Sequence, residues 1–315
     1  MIRHDPRDKE LPFEPDGLVQ RLLLAGARVL HRRDMLWRAN FTVSGTLAGR
    51  PLRVPLQFGS GWEHLRMREA WLFRSIERVL RGRTGAFIDV GVNVGHTLVK
   101  VKAADRDREY IGFEPNPNCL AYAQHLIDVN RFPNSTLVPA GSSDRSGVLQ
   151  MLLNTDVDPS ATIVEGFREP GRYARRLLVP VFVGDDVLDD LGVGEVAIIK
   201  IDVEGGELDV LRGLRRTIAR SAPVVFCEVL PVFDEQTDMG RFRLGRQAAM
   251  LKLLDEIRYS IFRIYVNDEV EEVADFGGVH ADMTLANYVF VHRSQVDGFR
   301  RDFRVAAPAR LQASA

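Results

Sequence analysis

The sequence predicts an α/β protein whose mostly parallel sheet is wrapped by helices on both faces. Two observations predict it. From Thr84 onward, short apolar runs alternate with segments of helical length, as in βαβ units, and the first of these runs feeds a glycine-containing turn. No fixed-period self-similarity is present, which excludes a solenoid.

Residues 1–16, rich in charge and proline, read as a loose arm. Val19, Leu22, Leu23 and Leu30 then fall at helical spacing between Gly17 and about Arg33. Phe41–Leu47 and Leu52–Phe58 flank Ala48-Gly49-Arg50-Pro51, a hairpin signal. A second helix carries Leu65, Leu72, Ile76 and Val79 on one stripe, with Gly82 as its stop. This 17–83 block is small and mixed, and is expected to pack as a subdomain on the main domain, 84–295. In that domain strands are expected at Ala86–Val90, Tyr110–Phe113, Ser135–Ala140, Val148–Asn154, Leu177–Val183, Val196–Ile201, Pro223–Val229, Ile261–Val266 and Asn287–His292. Helices are expected to about Ala104 and over Asn118–Asn130, Glu207–Arg220 and Arg243–Tyr259, with residues 296–315 as a tail.

Bulk properties bound the function. The chain has 315 residues, 45% of them apolar, enough for a sizeable core. A net charge of −1 gives no bulk reason to expect a nucleic-acid partner. Cys119 and Cys227 are the only cysteines, so neither a disulfide framework nor a zinc site is expected, and a reducing cytoplasm fits. No signal-peptide or membrane-span pattern is visible.

The most informative segment is Phe87-Ile88-Asp89-Val90-Gly91-Val92-Asn93-Val94-Gly95-His96. Glycines between strand and helix let backbone approach a ligand, beside free N–H groups at the helix start. Glu114 follows Asp89 by 25 residues and ends the next strand, where a Rossmann-like sheet holds ribose hydroxyls. A dinucleotide fingerprint would need glycine at Asn93 and His96, so a nucleoside with a small zwitterionic tail fits better: S-adenosylmethionine rather than NAD. Further on, Lys200 and Asp202 share one face of a strand expected to be buried on both.

Together, Phe87–Gly95, Gly112–Pro117 and Lys200–Glu207 resemble the FkbM family of class I methyltransferases. Asn130, the Gly141–Gly147 turn and Glu228 also fit its pattern; Val92 departs from the family's usual alanine. The resemblance implies a Rossmann-like, seven-stranded, mostly parallel sheet and transfer of a methyl group from S-adenosylmethionine to an oxygen, leaving S-adenosylhomocysteine. It assigns Asp89, Gly91, Asn93 and Gly95 to the methionine end. Glu114 and Asn116 go to the ribose and Ser142 and Ser143 to the adenine, while Asp202 and Glu204 face the methyl group. Nothing carries over to residues 1–80.

A hydroxyl acceptor must lose a proton, for which Glu204, Glu228 and His280 are candidate bases, and His96, just after Gly95, could approach the site too. Asp202 and Glu228 end adjacent strands and would suit a divalent ion, although no third ligand is evident. Arg28, Arg32, Arg33 and Arg38 make the first helix basic on one side, as a solvated face, a site for an anionic acceptor or a membrane-surface contact. The leading expectation is methylation of a small molecule, glycan or natural product. A non-catalytic binding protein and a nicotinamide-dependent oxidoreductase stand as alternatives.

Overall fold

A computed structural model describes residues 10–57, 59–158, 160–164, 167 and 173–305. Residues 1–9 of the arm, Phe58 and 306–315 of the tail lie outside the described residues. The chain opens with β1 (Leu11–Pro15), α1 (Gly17–Arg32), the hairpin β2 (Asn40–Leu47) and β3 (Arg50–Gln57), β4 (Arg66–Met67) and α2 (Ala70–Leu80). The hairpin turns on Ala48 and Gly49, both at positive φ, which matches the twist of the flanking strands. Part of the expected arm is therefore strand: Phe13 is buried and pairs with Leu47, and the four strands form one sheet in the order β3-β2-β1-β4. The second helix starts at Ala70, because Leu65 belongs to a short 3-10 turn.

The alternating part follows: β5 (Ala86–Val90), α3 (His96–Ala104), β6 (Tyr110–Phe113), α4 (Pro117–Asn130), β7 (Ser135–Val138), β8 (Gly141–Ser143), β9 (Gly147–Leu153), β10 (Arg175–Val183), α5 (Gly184–Asp190) and β11 (Val196–Ile201). Then come α6 (Glu207–Gly213), α7 (Arg215–Ser221), β12 (Val224–Glu228), α8 (Asp238–Glu256), β13 (Tyr259–Ile264), β14 (Glu269–Val273), β15 (Asn287–His292), α9 (Val296–Asp302) and β16 (Arg304–Val305).

The main sheet has nine strands, not the seven expected, in the order β16-β14-β13-β15-β12-β11-β5-β6-β7. The five from β12 to β7 are parallel; β15 runs antiparallel to both β12 and β13. The two extra strands sit at one edge. In β14, Glu-Val-Glu-Glu-Val buries only Val270 fully, so its charged outer face hides the alternation. The tail is structured through α9, where Val296, Phe299 and Phe303 turn inward. The expected helix Glu207–Arg220 is broken at Leu214, and α8 starts five residues before Arg243. Strands β8, β10 and β9 form a separate small sheet, so the first residues of the expected Gly141–Gly147 turn are strand.

Helices cover both faces of the main sheet. One face carries Phe87, Ile198 and Phe226 into a core shared with α2, α3 and α4 and with Val43, Val54 and Leu56 of the N-terminal sheet. The opposite face carries Ile88, Ile199 and Val225 against α5 to α8. Asn130 ties the two sheets: its side chain accepts from Arg53 N–H at 2.7 Å and donates to Arg53 C=O at 2.8 Å.

Candidate active site

Strand order reverses beside β5: the chain goes on to β6 and β7 on one side, and to β11 and β12 on the other. In parallel α/β sheets such a reversal opens a crevice at the carboxyl ends of the strands. Asp89, Glu114, Asp202 and Glu228 all stand at that end.

The glycine loop is shaped first by packing. Gly91 has φ +91°, and a Cβ there would lie 2.0 Å from the Asp202 carbonyl oxygen. The Asp202 amide donates to Val90 C=O at 3.0 Å, so the tips of β5 and β11 are drawn together. Val92 seats its side chain over Gly112, where any Cβ would clash, so the departure from alanine is accommodated. Asn93 (φ +50°) and Gly95 (φ +89°) turn the chain into α3.

Glu114 binds this loop to its own. One carboxylate oxygen accepts from Asn93 N–H at 2.7 Å, the other from Asn116 N–H at 2.8 Å. Burial nonetheless pushes its pKa up to about 7, with the two amides opposing. The Asn116 side chain is committed: it caps α4 through Asn118 N–H and donates to Asp156 C=O. Ser142 and Ser143 are buried where β8 packs on Gly184 of α5 and Gly213 of α6. The neighbouring Gly141 adjoins Pro115, so the start of β8 borders the Glu114 loop.

A polar chain runs outward along the face that α2 and α3 cover. Tyr110 donates its hydroxyl proton to Asp89 at 2.6 Å. Lys200, paired in register with Asp89, lies 3.6 Å from its carboxylate and 3.2 Å from that of Asp202, and donates to Gly91 C=O. Burial alone would favour neutral Lys200, but Asp202 and Asp89 outweigh it and the ammonium is kept. Burial also raises the pKa of Asp89, against the pull of Lys200. At the outer end the Asp202 and Glu228 carboxyl groups act on each other's proton affinity. Burial and the Asp202 charge drive Glu228 well above the usual carboxylate range. Asp202 stays below it, because the Lys200 ammonium 3.2 Å away outweighs the cost of desolvation. The two carboxyl groups are thus pushed in opposite directions, Glu228 up and Asp202 down.

Glu204 takes a left-handed conformation (φ +52°), with its carbonyl accepting from Thr162 Oγ1, and its charge bears on Glu228. His280 lies beside the segment that follows β12. Its N–H donates to Val232 C=O, and among the described residues neither ring nitrogen has a hydrogen-bond partner. His96 stacks on His64 at 4.4 Å, and burial holds both imidazoles neutral, His64 down to about 4, which leaves each a weak base. Among the described residues no group of three His, Cys, Asp or Glu side chains is arranged to hold a metal ion.

Residues 89–284, which include the glycine loop, Glu114 and the Asp202–Glu207 turn, match the methyltransferase FkbM domain. The chain belongs to this family. Similar solved structures include the methyltransferase FkbM from Methylobacillus flagellatus KT, at 18% identity over 66% of this chain and 43% of that one, with a TM-score of 0.40. The S-adenosylhomocysteine-bound methyltransferase PaMTH1 from Podospora anserina follows at 11% identity, 71% and 76% coverage, and TM-score 0.40. Precorrin-6y C5,15-methyltransferase from Geobacter metallireducens GS-15 is similar at 12% identity, 70% and 85% coverage, and TM-score 0.37. This FkbM chain spans less than half the length of the Methylobacillus protein. No curated protein matches it.

Several residues of the site escape sequence reasoning. Glu69, just before α2, has φ +51°, and its carboxylate is held at 3.0 Å by Lys100, a buried lysine of α3. Its charge reaches both Lys200 and Glu228. Arg243 is buried with its guanidinium 4.6 Å above the Phe167 ring, and that ring lies against Gly205. The one sequence signal for the first pair is Lys100, a cation set between Val99 and Val101 in α3.

Proposed function

We propose that the chain is an S-adenosylmethionine-dependent methyltransferase acting on a hydroxyl of a small molecule, glycan or natural product. The observation that carries the cofactor reading is the Glu114 carboxylate at the tip of β6. Two of its roughly four lone-pair sites are used by the loop amides, which leaves acceptors for a ribose diol. The donor set fits the rest of that cofactor: a neighbourhood of carboxylates suits a sulfonium and an ammonium, and the family match covers these positions. Asp89 and the Gly91–Gly95 loop would hold the methionine end. Asn116 would border the ribose through its backbone, and the Gly141–Ser143 strand would wall the adenine side.

When bound, the cofactor supplies an electrophilic methyl group. The chain's task is then to align an acceptor oxygen and take its proton. Glu228 is the group suited to that transfer, since its proton affinity is raised above that of an ordinary carboxylate; Asp202, beside the Lys200 ammonium, orients the acceptor. Glu228 must enter the cycle ionised, and positive charge bound beside it favours that form. The charges of Glu204 and Glu69 both bear on Glu228. Cys119 and Cys227 are free and buried, which fits work in the reducing cytoplasm.

The test is transfer of isotope-labelled methyl from S-adenosylmethionine to a panel of sugars, polyketides and phenols, with the product bond assigned by NMR. An O-methyl product lost in Glu228→Gln supports the reading. An N- or C-methyl product overturns the oxygen assignment, and binding without turnover across the panel favours a non-catalytic protein.

A further inference from the structure

Helix α1 carries two faces that the core does not use. Leu24 and Ala27 turn inward and are buried. Leu18, Val19, Leu22 and Val29 do not: they are 48–73% exposed. At about 100° per residue, these four fall within an arc of about 100° on the helix wheel. Arg21, Arg28 and Arg32, all exposed, form a stripe about 40° wide along one border of that arc. Between Gly17 and Arg33 there is no Asp or Glu to offset them. Trp37 follows the helix end, 59% exposed, with the Arg38 guanidinium 4.8 Å over its ring.

An apolar stripe bordered by arginines asks for a partner that is apolar and negatively charged in adjoining layers. A second copy of the chain meets only half of that. In a two-fold contact through the apolar arc the partner's helix carries the same arginines and no acidic residue, so it offers the stripe no counter-charge. A bilayer with anionic headgroups meets both halves, because acyl chains take the leucines and valines while phosphates take the guanidinium groups at the same depth. An exposed tryptophan beside an arginine is also suited to the headgroup level.

We propose that α1 docks the protein on an anionic lipid surface, lying in the interface plane with Leu18, Val19, Leu22 and Val29 toward the acyl chains and Arg21, Arg28 and Arg32 on the phosphates. The association is peripheral: no described helix is long and apolar enough to cross a membrane.

The test is flotation of the full chain with vesicles of phosphatidylcholine alone or mixed with phosphatidylglycerol, together with light scattering of the protein without lipid. The expected result is binding to the mixed vesicles, weaker on pure phosphatidylcholine and weakened by salt. Leu22→Glu with Val29→Glu should reduce binding by roughly tenfold or more. Its melting temperature should change little, since Leu22 and Val29 are 64% and 48% exposed and neither belongs to the buried core. Arg21→Glu with Arg28→Glu should remove the preference for the anionic vesicles. Absence of binding to either vesicle overturns the proposal, as does binding indifferent to Leu22→Glu and Val29→Glu. A lipid-indifferent dimer that those two substitutions dissociate would assign the face to a second copy instead.

Discussion

Glu114 bears two demands, holding the Asn93 and Asn116 amides and receiving a ribose, while burial keeps its pKa near 7. The ionised carboxylate is the form that accepts two hydroxyls, so cofactor affinity should rise with pH through that value. One unit below it, only about a tenth of the protein is competent, and the dissociation constant should be about tenfold weaker than on the alkaline plateau. Calorimetry across this range tests it, and Glu114→Gln should bind weakly with no pH dependence. Glu207 gives a stability counterpart. Burial lifts its pKa from 4.5 to about 7 while it accepts from Gly205 N–H. The folded state then holds a proton that the unfolded state has lost. The stabilisation is full below 4.5 and is lost as pH rises through about 7. Glu207→Gln, which can still accept that bond, should flatten the decline of melting temperature over this interval. The acids at the strand tips were legible because a carboxylate after an apolar run stands out in one dimension. Glu69, His64 and Arg243 were not, since each reaches the site from an element distant in sequence.

Among the elements, the β5–α3 loop carries the tightest constraint. Gly91→Ala puts a methyl group against the Asp202 carbonyl, a backbone atom that cannot swing aside, in a conformation alanine rarely adopts. The variant should lose about 2 kcal/mol or more of stability and with it measurable cofactor binding; a variant with unchanged melting and affinity would show that the tips of β5 and β11 are not locked as described. The parallel strands were readable because their apolar runs are nearly unbroken. β14 and the short β8 were not: one shows charge on its open face, and the other is three small residues whose pairing with β10 no local pattern announces.

At the scale of the molecule, the N-terminal sheet and the main sheet share one core, so residues 17–83 are built into the fold rather than appended to it. A chain starting at Thr84 should expose the α3 and α4 faces, bind a hydrophobic dye and melt without a cooperative transition. The sequence shows the block's helices and hairpin but not this shared core, because burial against a distant helix leaves no periodicity of its own. The same block brings Glu69 to Lys100 and presents the unpartnered face of α1. The central claim is that the crevice at the strand tips holds S-adenosylmethionine, and its most direct test is calorimetric titration of the full chain with S-adenosylmethionine, S-adenosylhomocysteine and NAD. Saturable binding of the first two, abolished in Glu114→Ala, is the predicted result. Binding of NAD alone, or of none of the three, would contradict it.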